Sequence, residues 1–147
     1  MHDVVIKIIN TSGNELPEYA TDGSAGLDIR ASLESAIVLK PFERAMIPTG
    51  LFFEIPFGYE AQVRPRSGLA IKNGITCLNS PGTVDSDYRG EIKVILINLS
   101  QQEQTISNGQ RIAQVVMSKV EKALLQPAEQ LQESVRGSGG FGHTGNQ

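Results

Sequence analysis

Residues 90–99 read GEIKVILINL, and this stretch decides the class of the fold. As far as Val94 it alternates polar and apolar residues, the period of a β-strand. From Val94 the alternation gives way to Ile95, Leu96, Ile97 and Leu99. A strand apolar on both sides is covered on both sides, either at the centre of a sandwich or against a neighbouring subunit. Segments of the same kind recur along the chain: VVIKII (4–9), AIVL (36–39), RAMIPTGLFFEI (44–55), YEAQVRP (59–65), GITCLN (74–79) and RIAQVVMSKV (111–120). They are rich in β-branched residues and separated by turn formers such as TDGSAG, KPFE, NSPG and SNGQ. Helical spacing is scarce. SGLAIK (67–72) suits one or two turns, and ALLQPAEQLQE (123–133) carries Pro127 where a helix needs a donor. The expected fold is all-β, mostly antiparallel, a sandwich or jelly roll.

Length and composition set the outer bounds. A chain of 147 residues with 39% hydrophobic content suits one domain with a real core. A net charge of −3 argues against a nucleic-acid coat or a membrane-surface binder, so an anionic ligand would be held by a few local arginines. Cys77 is the one cysteine, which points to a buried reduced thiol. The start MHDVVIKIIN lacks a signal peptide's basic flank, and no apolar run reaches the roughly 20 residues of a membrane span. A cytoplasmic protein is expected.

Several polar stretches are not explained by the strand pattern. SAGLDIRA (24–31) sets Asp28 between Leu27 and Ile29, facing either solvent from an edge strand or a cation. VRPRSGLA (63–70) offers Arg66, Ser67 and Gly68 at a helix start, which suits a phosphate or simply a serine N-cap. NSPGTVDSDYRGE (79–91) would carry Asp85, Asp87, Tyr88 and Arg89 near the end of a hairpin between GITCLN and EIKVILINL. Its acids either form the turn or activate a water. Gln114 lies in a core strand, where an outward amide is solvated or reaches a ligand. RGSGGFGHTGNQ (136–147) reads on composition alone as a disordered tail.

Taken together, AGLDIRA, RPRSGLA, NSPGTVDSDYRGEI, GQRIAQVV and RGSGGFGHTG occur in the order and approximate spacing of the five motifs of the trimeric deoxyuridine triphosphatases. The chain resembles that family from about residue 24 to residue 145. The resemblance implies a distorted jelly-roll β-sandwich of the β-clip type, comprising residues 1–135. Residues 136–147 would form a flexible arm closing over an active site. It implies a homotrimer with active sites at subunit interfaces, binding neither nucleic acid nor membrane. Its expected activity is Mg²⁺-assisted hydrolysis of dUTP to dUMP and pyrophosphate, which limits uracil in DNA and supplies dUMP for dTMP synthesis.

By the same resemblance, Asp85 is the base acting on the attacking water, and Asp28 holds waters of the Mg²⁺. Arg66, Ser67, Gly68 and Gln114 contact the phosphates. Asn79, Gly82 and Lys93 mark the uracil reader, and Tyr88 lies against the sugar where a 2′-hydroxyl would otherwise sit. Arg136 grips the γ-phosphate end, Ser138, Gly139 and Gly140 follow the phosphates, and Phe141 stacks on uracil. Two alternatives stay open at this stage. A dCTP deaminase shares the architecture but needs a further acid near the base's amine. A scaffold presenting its glycine-rich tail to RNA is disfavoured by the low arginine content.

Overall fold

In the computed structural model residues 2–145 are described, and they form eleven elements. The strands are β1 (Lys7–Asn10), β2 (Leu27–Arg30), β3 (Ile37–Leu39), β4 (Arg44–Glu54) and β5 (Tyr59–Arg64). A short helix α1 (Ser67–Asn73) follows, then β6 (Ile75–Cys77), β7 (Gly82–Val84), β8 (Glu91–Asn98), β9 (Gln104–Ile106) and β10 (Arg111–Lys119). Two four-stranded sheets, ordered β1-β4-β8-β6 and β2-β10-β5-β7, and a two-stranded sheet β3-β9 are antiparallel throughout. Side chains from all three sheets meet in one core: Ile47, Ile75, Ile92, Val94 and Leu96 from the first, Ile29, Val63, Ile112 and Val115 from the second, Leu39 and Ile106 from the third. Each such aliphatic side chain contributes about 1.5–3 kcal/mol on burial. The fold is an all-β, jelly-roll sandwich. No helix among the described residues is long and apolar enough to cross a membrane.

The deciding strand keeps its alternation after all. In β8, Ile92, Val94, Leu96 and Asn98 are buried, while Ile95 and Ile97 on the opposite face are only half-buried. Leu99 and, on neighbouring β4, Met46 are 54% and 59% exposed. The strand is central in its sheet, but nothing within the described residues fully covers its second face.

The expected hairpin between residues 74–79 and 91–99 needs correction. β6 does pair with β8, at Thr76 opposite Ile97, but the connection leaves the sheet. Within it β7 joins the other sheet beside β5, with Gly82 opposite Val63 and Val84 opposite Ala61. The loop is thereby stitched across the sandwich. Ser67 is also not the helix cap: Arg66 occupies that position in an extended conformation, without a side-chain capping bond.

Two irregularities shape the strands that carry the polar motifs. β4 contains Pro48 and shifts register between Pro48 and Leu51, a bulge around Thr49 and Gly50. Gly50 has φ 70, and a Cβ there would lie 2.8 Å from Ser12 Cβ. β10 shifts between Arg111 and Ala113, which is why Ile112 and Ala113 are both buried although adjacent. The shift re-aims the strand so that Gln114 stands opposite Asp28 on one side and Arg64 on the other.

Asn98 is fully buried and ties three segments together. Its amide donates to the carbonyls of Leu39 (2.9 Å) and Gln102 (2.8 Å), and its side-chain oxygen accepts from the Ser100 amide (2.8 Å). Asn98→Ala strands those groups without water, and chemical denaturation is expected to show a loss of about 2–4 kcal/mol. Cys77 is 4% exposed, and burial pushes its thiol from the ordinary 9.0 up to about 11. The unfolded chain therefore loses this proton first, and stability falls as pH rises from about 9 toward 11. The native protein is expected to resist a thiol reagent that labels it stoichiometrically in denaturant.

Candidate active site

Asp28 sits on the edge strand β2, and two arginines converge on its carboxylate. Arg66 Nε donates to Oδ1 at 3.0 Å, and Arg111 Nη1 lies 3.9 Å from Oδ2. The Asp28 and Arg66 side chains are 27% and 29% exposed, so the pair is partly shielded but open to a ligand. Gln114 donates from Nε2 to the Pro65 carbonyl at 3.0 Å, fixing the backbone immediately before Arg66. It is half-buried rather than solvated. Gly26 permits this, because a Cβ there would run into Gln114 Oε1. Ser67 is exposed, and its hydroxyl has no partner among the described residues. Asp28, Arg66, Ser67, Gly68 and Gln114 thus belong to one cradle, with two guanidinium groups and a free hydroxyl suited to phosphate oxygens.

A second group gathers at the other end of the β5–β7 pair. Asp85, Tyr88 and Lys93, with Met46, Thr83, Val84 and Ile95, line a recess of about 240 Å³. Tyr88 Oη donates to the Glu91 carbonyl at 2.9 Å. Its ring covers Gly90, where a Cβ would come within 2.5 Å of Tyr88 Cζ. Glu91 accepts from the Gly50 amide at 3.0 Å, so the β4 bulge anchors the end of this loop. Gly82, by contrast, pairs with Val63 at the cradle end of β5, and exposed Asn79 stands beside it, its Nδ2 3.2 Å from where a Gly82 Cβ would lie. The Asp85 carboxylate is exposed and unpaired among the described residues.

One chain does not bring these groups together. Asp85 follows Val84, which pairs with Ala61, whereas Arg64 follows Val63. At about 3.4 Å per residue, Asp85 lies roughly 14 Å along the strands from Arg64, which pairs with Gln114 of the cradle. The remaining candidates lie on the C-terminal segment. The last backbone bond tying the C-terminal segment to the sandwich runs from Val120 N to the Gly58 carbonyl at 2.9 Å. From Glu121 to Ser138 every residue is exposed, and the segment has no strand or helix. Arg136 Nε donates to the Gly139 carbonyl at 2.6 Å, and Phe141 is fully exposed.

Comparison with known proteins gives the family. The family model described as dUTPase matches residues 13–145. A deoxyuridine 5′-triphosphate nucleotidohydrolase of Chlamydia pneumoniae is 63% identical over 135 residues, 91% of this chain and 93% of that one. The chain belongs to the dUTPase family. Among solved dUTPase structures, that of Staphylococcus bacteriophage 80alpha with dUPNHPP superposes with a TM-score of 0.87 at 25% identity, covering 97% of this chain and 99% of the other. A point mutant of the dUTPase from S. aureus phage phi11 has a TM-score of 0.78 at 22% identity, covering 88% and 99%. That protein is described as coordinating a structural Mg(II) ion.

Within this dUTPase fold, sequence reasoning passed over Arg111, Gly26 and Glu91. Arg111 stands inside the quoted GQRIAQVV, and a lone cation at the mouth of an apolar strand was the available signal. Among the described residues no three His, Cys, Asp or Glu side chains gather to hold a metal ion. Asp28 Oδ1 is engaged by Arg66, and Oδ2 keeps acceptor capacity. This donor set fits a Mg²⁺ carried by ligand phosphates and touched by the protein through water, since Mg²⁺ retains several waters.

Proposed function

We propose that the protein hydrolyses dUTP to dUMP and pyrophosphate as a Mg²⁺-dependent homotrimer in the cytoplasm, each active site being shared between subunits. The observation that carries this reading is the Asp28 carboxylate held between Arg66 and Arg111 beside the Gln114-braced turn, with Asp85 held well away on the same chain. A composite site needs the Asp85 loop of one copy to face the arginine cradle of another. The half-covered face of β8, with Ile95 and Ile97, together with exposed Leu99 and Met46, offers an apolar surface for that assembly.

In this site Asp85 orients a water for in-line attack on the α-phosphorus and takes its proton as the O–P bond forms. A carboxylate is a weak base toward water, so orientation contributes most of its effect. Arg66 and the Ser67 hydroxyl hold the non-reacting phosphate oxygens, with the Gly68 backbone close by. Gln114 keeps the Pro65–Arg66 backbone in place. Mg²⁺, when bound with the triphosphate and contacted by Asp28 through water, supplies positive charge that makes pyrophosphate a better leaving group. Asn79, Gly82 and Lys93 read the uracil edge. Tyr88, fixed by Glu91, closes the space beside the sugar's C2′. The sandwich of residues 1–135 carries the chemistry, and residues 136–147 act as an arm supplying Arg136, Ser138, Gly139 and Phe141 from a neighbouring copy.

Pyrophosphate release from dUTP, dCTP, dTTP and UTP, measured side by side with Mg²⁺, tests the reading. dUTP is expected to exceed the others by several orders of magnitude, because a site whose buried polar groups match uracil leaves them unpaired with cytosine. Equal turnover of dCTP, or none of dUTP, would overturn it.

A further inference from the structure

Tyr88 is tied at both ends. Its amide donates to the Asp85 carbonyl at 3.2 Å, and its Oη donates to the Glu91 carbonyl at 2.9 Å. The second tie lands on the sheet rather than on a loop. Glu91 opens β8 opposite Phe52, its carboxylate accepts from the Gly50 amide at 3.0 Å, and the next carbonyl, of Ile92, accepts from the buried Thr49 hydroxyl. A hydroxyl bond fixes the tip of the ring but not how closely the ring lies against the backbone. That depth is set at half-buried Gly90. A Cβ there would stand 2.5 Å from Tyr88 Cζ and 2.9 Å from Cε1, and closer still to Oη, so the ring fills the volume of the missing side chain. Backbone freedom is not the reason for this glycine, since its φ lies outside the left-handed region that Gly50 occupies at φ 70. An alanine would meet Tyr88 before any other residue. Because Tyr88 is 46% exposed, the evicted ring would swing out into solvent and give up its bond to Glu91.

We propose that Gly90 is a specificity-determining positioning residue: by leaving its side-chain volume to the Tyr88 ring, it sets how far that ring closes the space beside the sugar's C2′. This rests on the reading that Tyr88 closes that space, and it deepens that reading. A tyrosine free to swing would exclude a 2′-hydroxyl only for part of the time, and rejection by shape needs a wall that stays in place. The seat on Gly90 and the anchorage of Glu91 in β8 make the ring such a wall. Selection of the sugar then depends on a residue that itself touches no part of the nucleotide.

Values of kcat/KM for dUTP, UTP and dCTP, measured on the full chain with Mg²⁺, test this. Gly90→Ala is expected to lower the preference for dUTP over UTP about tenfold. The preference for dUTP over dCTP is expected to change less than about twofold, because the base is read at Asn79, Gly82 and Lys93. Tyr88→Phe keeps the ring on its seat and gives up only the bond to Glu91, so it is expected to retain most of the sugar preference. In a Tyr88→Ala background no ring remains to be evicted, and Gly90→Ala is expected to add less than about twofold. A Gly90→Ala protein that keeps its sugar preference, or that loses sugar and base preference alike, would overturn the proposal. So would a Tyr88→Phe protein as impaired as Gly90→Ala, which would assign the positioning to the hydroxyl bond. A Tyr88→Ala protein with the wild-type preference for dUTP over UTP would overturn the reading of Tyr88 itself, and the role of Gly90 with it.

Discussion

Asp85→Asn is expected to give a folded protein that binds the imido analogue dUPNHPP with near wild-type affinity and turns over dUTP roughly 10³-fold more slowly, within the range a positioned general base contributes. The structural part of the argument is that this carboxylate holds nothing in place. It is exposed, it has no side-chain partner among the described residues, and the Tyr88 amide bonds the Asp85 backbone carbonyl at 3.2 Å, which asparagine retains. Asparagine has the same shape but cannot accept a proton at neutral pH. The loss therefore falls on kcat, with KM and the melting temperature almost unchanged. Calorimetric titration with dUPNHPP beside a pyrophosphate-release assay separates the two quantities. Near wild-type turnover would remove Asp85 from the role of base. A loss of analogue binding would assign it to holding the nucleotide.

Deleting residues 136–147 is expected to leave the sandwich intact and to lower kcat/KM for dUTP by roughly 10²-fold or more, the scale on which lost positioning is felt. Stability is spared because the buried core runs from Ile29 to Val115 and the half-buried side chains packed against it reach no further than Met117. After Val120, none of the residues from Glu121 to Ser138 is buried. Activity suffers because Arg136 and Phe141, the cation and the ring assigned to the two ends of the nucleotide, leave together. Circular dichroism and thermal melting should superpose on the full-length protein. Full activity in the truncated protein would contradict the arm's assignment, and a lower melting temperature would show that the arm also supports the fold.

The strand content was legible in the sequence wherever a segment ran long enough to show its period. GEIKVILINL, RIAQVVMSKV and YEAQVRP became β8, β10 and β5, because each buries one face against a core that only alternation can supply. The two strands that were missed, β7 and β9, are no shorter than β3 and β6, but they adjoin polar, turn-forming stretches, NSPG and SQQEQ, instead of lying inside an apolar run. Missing β7 also misassigned the hairpin, since that strand is what carries the connection from one sheet to the other. The site was legible as motifs but not as geometry. That Asp28 takes Arg66 on one oxygen and faces Arg111 across the other depends on a one-residue register shift in β10, which composition and spacing do not encode. The left-handed Phe42 in the KPFE turn is a similar case. Its φ of 66 follows the proline as a type II turn requires, yet the position is one where glycine or asparagine would be expected.

On the shared-site reading proposed above, the distance between Asp85 and the arginine cradle has a cellular corollary. A chain just released from the ribosome, or one displaced from its partners, would carry every residue of the proposed active site and still be unable to align water, metal and phosphate. Hydrolysis would then be a property of concentration as much as of sequence. Dilution below the assembly threshold would silence the enzyme without unfolding it, and a single defective copy in a mixed assembly would impair sites that its healthy neighbours help to build.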